Sequence, residues 1–332
     1  MKQTRHTFGP SHLWLLSGLT VVALVVASVL GSSSLNFSHI LSPETSDYHI
    51  FWNLRVSRTL VAFLAGSGLA LCGMVFQALF LNTLATPFTL GVAGGASCGA
   101  ALVIFLGGLP GLHVGPTVTL GAMVGAGLAM LLVLGFSHTR IGHQRHVMLL
   151  AGVAVSFFFS SLLLLIQALS SFYQSFQIIR WLMGGISVAG YTEVYLLLPI
   201  IIPGIIIILL HSPRLNMLLL GDDLAHARGL SVVKTKRTLF LVVSVMVAAI
   251  VSVTGPIGFI GLIVPHICRI FWGGDHRLLG PATLIAGGLV LVVCDLISRL
   301  ILQPTGIPVG VITSLMGAPF FFFLLLRKGY RF

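Results

Sequence analysis

Leu13-Trp-Leu-Leu-Ser-Gly-Leu-Thr-Val-Val-Ala-Leu-Val-Val-Ala-Ser-Val-Leu30 is the first apolar run of the chain. Lys2 and Arg5 precede it, as in a secretory signal. Its 18 residues nevertheless exceed the roughly 7–15 of a signal's apolar region and approach the roughly 20 that cross a bilayer. It reads as a retained first span. The rest of the composition agrees: of 332 residues, 57% are hydrophobic and only 8% are Asp, Glu, Lys or Arg, with a mean hydropathy of +1.07. A soluble domain carries about 25% charged residues, so this chain cannot cover a globule with polar surface. An ordinary soluble enzyme, a disordered regulator and a nucleic-acid reader are excluded, despite the net charge of +11.

Including that run, ten apolar segments suit spans, at roughly 13–31, 54–80, 88–107, 114–136, 147–169, 188–210, 238–255, 257–271, 281–302 and 309–326. The fold class is therefore an all-α polytopic membrane protein, one transmembrane unit over 1–332. The second segment is long, which suggests tilt or extension past the bilayer. The eighth is short and interrupted by Pro256 and Pro265, so it is expected to break as a helix. Gly and Pro throughout, with no alternating ten-residue pattern, exclude an outer-membrane barrel. With the N-terminus inside, 14 of the 18 basic residues fall on cytoplasmic ends and loops, leaving Arg55, Arg58, Arg180 and Arg299 outside. Both termini and the 211–237 loop are then cytoplasmic. Cys72, Cys98, Cys268 and Cys294 lie in apolar stretches without C-x-x-C spacing and read as small core residues.

The 211–237 loop divides six spans from four. Inside it, Asp222-Asp223-Leu224-Ala225-His-Ala-Arg228-Gly229 reads as a short helix, with acids at its start, Arg228 in its last turn and Gly229 as its stop. Gly91, Gly95 and Gly99, and again Gly121 and Gly125, recur at four-residue spacing, which lets helices approach closely and places these spans inside the bundle.

The chemistry is sparse. None of the four lysines follows a glycine, so there is no P-loop. Asp295 is the clear intramembrane acid, and Arg299 one turn on reads as its ion-pair partner rather than as part of a proton relay. His138, His143 and His146 share one loop with Arg140 and Arg145 and no carboxylate or cysteine, so they read as solvated histidines and not as a metal site. His266 has no recognisable catalytic partner. With no energy source of its own, the chain is expected to work with a separate ATPase.

Five segments resemble the FecCD family of ABC importer permeases. They are Arg55-x-x-Arg58 leading into Gly66-x-Gly68 and Gly73-x-x-x-Gln77; Asn82-Thr-Leu84-Ala-Thr-Pro87 with Leu90-Gly91; Arg180-Trp181-Leu-Met-Gly184; Gly255-Pro256-Ile-Gly-Phe259-Ile-Gly261-Leu-Ile-Val-Pro265-His266-x-x-Arg269; and Asp295-x-x-x-Arg299 with Pro308-Val-Gly310-Val-Ile-Thr313 and Gly317-Ala-Pro319-x-Phe321. The family usually reads Arg-Asn-Pro-Leu-Ala where this chain has Leu81-Asn82-Thr83-Leu84-Ala85.

The resemblance implies a ten-helix fold with two inverted repeats, in the bacterial inner membrane. It also implies a permease dimer, two cytoplasmic ATPase subunits that hold the ATP and Mg, and a periplasmic or lipid-anchored binding protein. No cofactor is expected on this chain. Arg55, Arg58 and Arg299 would face the binding protein, and Asp222, Asp223, Leu224, Ala225, Arg228, Gly229 and Leu230 would couple to the ATPase. Asn82 and Leu84 would lie at a cytoplasmic gate, and Arg180, Trp181 and Gly184 at a periplasmic one. Gly255, Pro256, Pro265, His266, Arg269 and Asp295 would be structural. A ferric siderophore is the first expectation for cargo, with haem and cobalamin as alternatives. An ion-coupled carrier that titrates Asp295 is the alternative of another class.

Overall fold

The computed structural model describes residues 9, 11–31, 36–86, 88, 91–107, 114–137, 145–187, 190–301 and 306–326. Lys2, Arg5, Pro87, Leu90, His138, Arg140, His143, Arg327, Lys328 and Arg331 lie outside the described residues, as do the side chains of Arg145 and His146.

All regular structure among the described residues is helical. The order is α1 (Ser11–Val29), α2 (Ser46–Tyr48), a π-helical stretch (His49–Val56), α3 (Ser57–Phe80), α4 (Val92–Phe105), α5 (Val114–Ser137), α6 (Arg145–Leu169) and α7 (Phe172–Leu182). There follow α8 (Thr192–Leu210), α9 (Ser212–Leu218), α10 (Asp222–Ala227), α11 (Val232–Thr254), α12 (Ile260–Trp272), α13 (His276–Leu300) and α14 (Val309–Leu326). Among the described residues, seven helices are long and apolar enough to cross a membrane, and three shorter apolar ones, in α4, α12 and α14, supply the remaining segments. These ten coincide with the ten apolar runs of the sequence. The second continues unbroken from Ser46 to Phe80 over 35 residues.

The apolar pattern decides which helices lie inside. Every residue of α3 except Arg58, Leu60 and Phe63 is buried, as expected of a helix that is apolar all round. On α1 only Thr20 and Ala27 are buried; Leu13, Leu16 and Leu24 pack half-buried against the core, while Trp14, Leu15, Leu19, Val21, Val22 and Val25 face outward. Small residues set the closest approaches. A Cβ at Gly95 or Gly99 would strike the carbonyl of Gly125 or Gly121, and one at Gly66 that of Gly287. The reversed order of the first two pairs makes α4/α5 antiparallel, and Gly66–Gly287 with Arg58–Asp295 does the same for α3/α13. The third four-residue step does not join the α4/α5 seam: Gly91 precedes α4 with φ +79° and faces α6.

The expected break in the eighth span is half right. The chain does leave helical geometry at Gly255 and Pro256, but α12 runs through Pro265 without interruption. Proline at 265 removes the N–H that would bond the carbonyl four residues back, at Gly261. Gln77 of α3 supplies another donor: its Nε2 lies 3.4 Å from Gly261 O and 3.3 Å from Leu262 O. Gly73, one turn earlier on α3, has no side chain where Gly261 presses in, which is why the amide of Gln77 can reach.

Candidate functional site

At one end of the bundle, α1, α3 and α13 meet in a cluster of charge. Asp295 is fully buried. Its Oδ1 accepts from Arg58 Nε at 2.9 Å and lies 2.8 Å from Arg58 Nη2, while Oδ2 lies 3.0 Å from Arg299 Nε. The Asp295–Arg299 pairing is the one the spacing predicts. Arg58, 237 residues away, is a second partner that no local pattern announces.

The arginines also fasten α1. Arg299 Nη2 donates to Ala27 O at 3.0 Å, and Arg55 Nη1 donates to Val29 O. The last carbonyls of a helix lack partners within it and carry the negative end of its dipole, so two cations are well placed there. Gly31 leaves the space that the Arg55 guanidinium occupies. Arg55 is 6% exposed, and the Arg299 and Arg58 side chains 10% and 27%, so Arg58 offers most of the charge that still reaches outward.

Beside this end lies a backbone junction. α7 starts with a capping box between Ser171 and Gln174, and Gln174 Nε2 also holds Phe105 O of α4 at 2.8 Å. Arg180 is exposed, Trp181 half-buried and Gly184 buried. Gly184 has φ +67°, and its carbonyl accepts from Gly310 N at 3.1 Å. A Cβ on Gly184 would meet Pro256 O, one on Gly255 would meet Trp181 O, and one on Gly310 would meet Met183 O. Three sequence motifs thus meet with nothing larger than hydrogen between their backbones. A shallow pocket of about 360 Å³ opens here, lined by Leu182, Met183, Pro256, Gly310, Val311, Ser314 and Leu315. Its wall carries one hydroxyl and no charge.

Toward the other end, Arg269 Nη2 donates to Gln77 Oε1 at 3.1 Å, which orients the amide that serves α12. His266 packs edge-on against Phe320 of α14, centroids 6.4 Å apart. The turn after α3 is formed by Leu81, at φ +48°, and by Asn82, whose Oδ1 accepts from Leu84 N at 2.9 Å. That bond needs only the Asn, which this chain retains.

The loop that divides six spans from four contains α9 and α10. α10 ends in a Schellman motif: Gly229 N donates to His226 O at 2.8 Å and Leu230 N to Ala225 O at 3.0 Å, with Gly229 at φ +83°. Ala225 and Leu230 are buried under the turn. Asp222 and Asp223 begin the helix, and Asp222 pairs with Lys236 of α11 at 2.6 Å. Leu224 stands 59% exposed, with Leu219, Leu220 and Val233 also open. The short capped helix is the one the sequence predicts. The bonds of Gln77 to α12 are not legible from local pattern; their signal is the glycine four before Gln77 and the proline four after Gly261.

Comparison with known proteins agrees with this geometry. The FecCD transport family matches residues 19–327. The chain is 35% identical over 322 residues to the hemin transport system permease protein HmuU of Yersinia pestis, covering 95% of this chain and 96% of that one. It is 34% identical over 333 residues to the Fe(3+) dicitrate transport system permease protein FecC of Escherichia coli, covering 96% and 98%. It is 36% identical over 325 residues to the vitamin B12 import system permease protein BtuC of Klebsiella pneumoniae, covering 97% and 96%. A solved structure described as an inward-facing conformation of a metal-chelate type ABC transporter superposes with a TM-score of 0.84 at 29% identity, over 96% of this chain and 99% of that one. With nearly the whole length matched and ten apolar helices in place, this chain belongs to the FecCD transport family.

Proposed function

We propose that the chain is the translocating subunit of an ATP-driven importer that carries an intact metal chelate inward. In this reading it works as one of two permease chains, alike or different, with two cytoplasmic ATPase subunits and an outer binding protein. The observation that carries the reading is the α9–α10 element. It is a Schellman-capped helix with a buried underside and an exposed Leu224 on top, which is what a docking surface for a rigid partner requires. The α9–α10 end is the cytoplasmic one, so Arg58 and Arg180 look outward toward a binding protein. The apolar wall beside Gly184 suits a cargo handed through rather than held. A ferric siderophore is the first choice of cargo, with haem and cobalamin behind it; the named relatives divide among haem, ferric dicitrate and vitamin B12 and favour none of them.

The ion-coupled alternative loses its best residue. Asp295 lies between two arginines and is fully buried, a structural setting in which removing the charge strands its partners. The test is uptake of labelled ferric siderophores, haemin and cobalamin into proteoliposomes holding the chain with its ATPase and binding protein. Uptake should require ATP and persist with a protonophore present. Uptake driven by a proton gradient without ATP would reverse the assignment.

A further inference from the structure

If α9 and α10 receive a push, it must leave the loop through contacts with other spans. The Asp222–Lys236 pair is a poor route, because it is local and its side chains are 38% and 23% exposed, where ion pairs are weak and screened. Asn216 on α9 is different. Its Nδ2 donates to Asp275 Oδ1 at 2.6 Å. Its Oδ1 accepts from His276 N at 2.9 Å and from His276 Nδ1 at 2.7 Å. One amide therefore grips the start of α13, where Asp275 is itself the N-cap through Arg277 N at 3.0 Å. One turn further, Gly280 has no side chain where Leu209 of α8 presses in, and Ser212 of α9 lies within ordinary contact of the same place.

From there the contacts continue without a gap to the far end. α13 is a 25-residue helix, about 38 Å long at about 1.5 Å per residue. It is seated against α3 at Gly287 and Gly288. Near its end, Ser298 Oγ donates to Ile307 O at 2.6 Å and Ile307 N donates to Ser298 O at 3.1 Å. Three residues on, Gly310 N donates to Gly184 O, at the end of α7. We infer that Asn216 is the positioning residue that makes α13 follow the docking loop, so that movement on the ATPase side reaches the Gly184–Gly310 junction beside the outer pocket. This inference rests on the reading of α9–α10 as the ATPase-docking element.

All four cysteines are buried and free, so a thiol introduced by Leu315→Cys, 69% exposed at the pocket, can be followed by maleimide labelling. The assembled permease–ATPase complex in nanodiscs is labelled with and without vanadate-trapped Mg-ATP. With Asn216 intact, trapping should change the labelling rate at least fivefold. Asn216→Ala should hydrolyse and trap ATP yet change labelling less than twofold. Asn216→Asp keeps the acceptor for His276, loses the donor and sets two carboxylates together, so it should behave as Ala does. Adding Asp275→Asn restores the donor–acceptor pair in reverse and should recover most of the response.

A wild-type labelling response in Asn216→Ala, or a folded Asn216→Asp/Asp275→Asn protein that does not recover, overturns the inference. Where Asn216→Ala does not accumulate, the paired substitutions decide. Leu224→Asp separates the two readings: it should release the ATPase from the purified complex, and an ATPase that stays bound refutes the docking element itself. No response in the Asn216-intact protein counts against both.

Discussion

The two ends of α13 are held by opposite means. At its start, a neutral amide on a half-buried loop helix makes three hydrogen bonds to Asp275 and His276. At its finish, a fully buried carboxylate sits between two arginines, and one of those arginines reaches on to α1. Hydrogen bonds between neutral groups contribute about 0.5–1.5 kcal/mol each net and one to a charged group about 1.5–3, and Asn216 and Asp275 are partly open to water that can take over their bond. A buried ion pair that loses one member costs about 3–5 kcal/mol, because the other charge stays desolvated. The first kind of joint can be remade at each cycle of a transporter. The second kind only holds.

Breaking the second joint should cost the most. Asp295→Asn leaves Arg58 and Arg299 facing each other without an anion, and we expect about 3–5 kcal/mol of lost stability with poor accumulation in the membrane. Thermal unfolding in detergent measures it. Arg58→Ala should cost clearly less, since Asp295 keeps Arg299. Equal losses in the two variants would show that the carboxylate is not the centre of the cluster. Replacing Arg58, Asp295 and Arg299 together by apolar residues should recover part of the loss, although α1 then lacks the Arg299 bond to Ala27.

A smaller effect is expected between the two ends, at Gln77. Gln77→Leu withdraws the donor from Gly261 O and Leu262 O and the acceptor from Arg269, at about 1–3 kcal/mol for buried groups left unpaired. Pro265→Ala in that background returns an N–H to the helix ladder, and Ala has a far better helix propensity than Pro. The double variant should therefore be more stable than Gln77→Leu alone. If Pro265→Ala brings no gain there, Gln77 does not compensate the proline.

The ten apolar spans, the capped α10 helix and the Asp295–Arg299 pair are legible in the sequence, because each depends on residues that are close along the chain. Span length, the Gly229 stop and i,i+4 spacing are all local quantities. Gly95, Gly99, Gly121 and Gly125 are legible as interior positions for the same reason, but the pairing of Gly95 with Gly125 and of Gly99 with Gly121 is not. Pro265 was read as a break because a proline alone is one; the repair comes from Gln77, 188 positions earlier. Arg58 to Asp295 and Asn216 to Asp275 belong to the same class. They depend on how far one helix slides against another, and no periodicity in a single chain records that register. Arg55 shows the converse: its charge was legible, and only the carbonyls of α1 explain why it is buried.

The weakest effect tests the first joint through pH. Burial raises the Asp275 carboxyl, but the bonds from Arg277 N and Asn216 and the nearby charge of Arg277 outweigh it and hold the group below the usual carboxylate range. A group depressed in the folded state adds stability above its unfolded value, about 3.9 for Asp, and loses it as pH falls through the folded value. Wild-type protein should therefore lose an increment of stability below about pH 4 that Asp275→Asn does not lose, since Asn keeps an acceptor for Arg277 N without titrating. The increment should stay near the roughly 1 kcal/mol of an N-cap, because Asp275 is partly open to solvent. Melting curves of the two proteins between pH 3 and about pH 7 check it. Parallel pH profiles would mean that Asn216 grips α13 through His276 alone, and the joint would then lack the donor side on which its reversal by paired substitution depends.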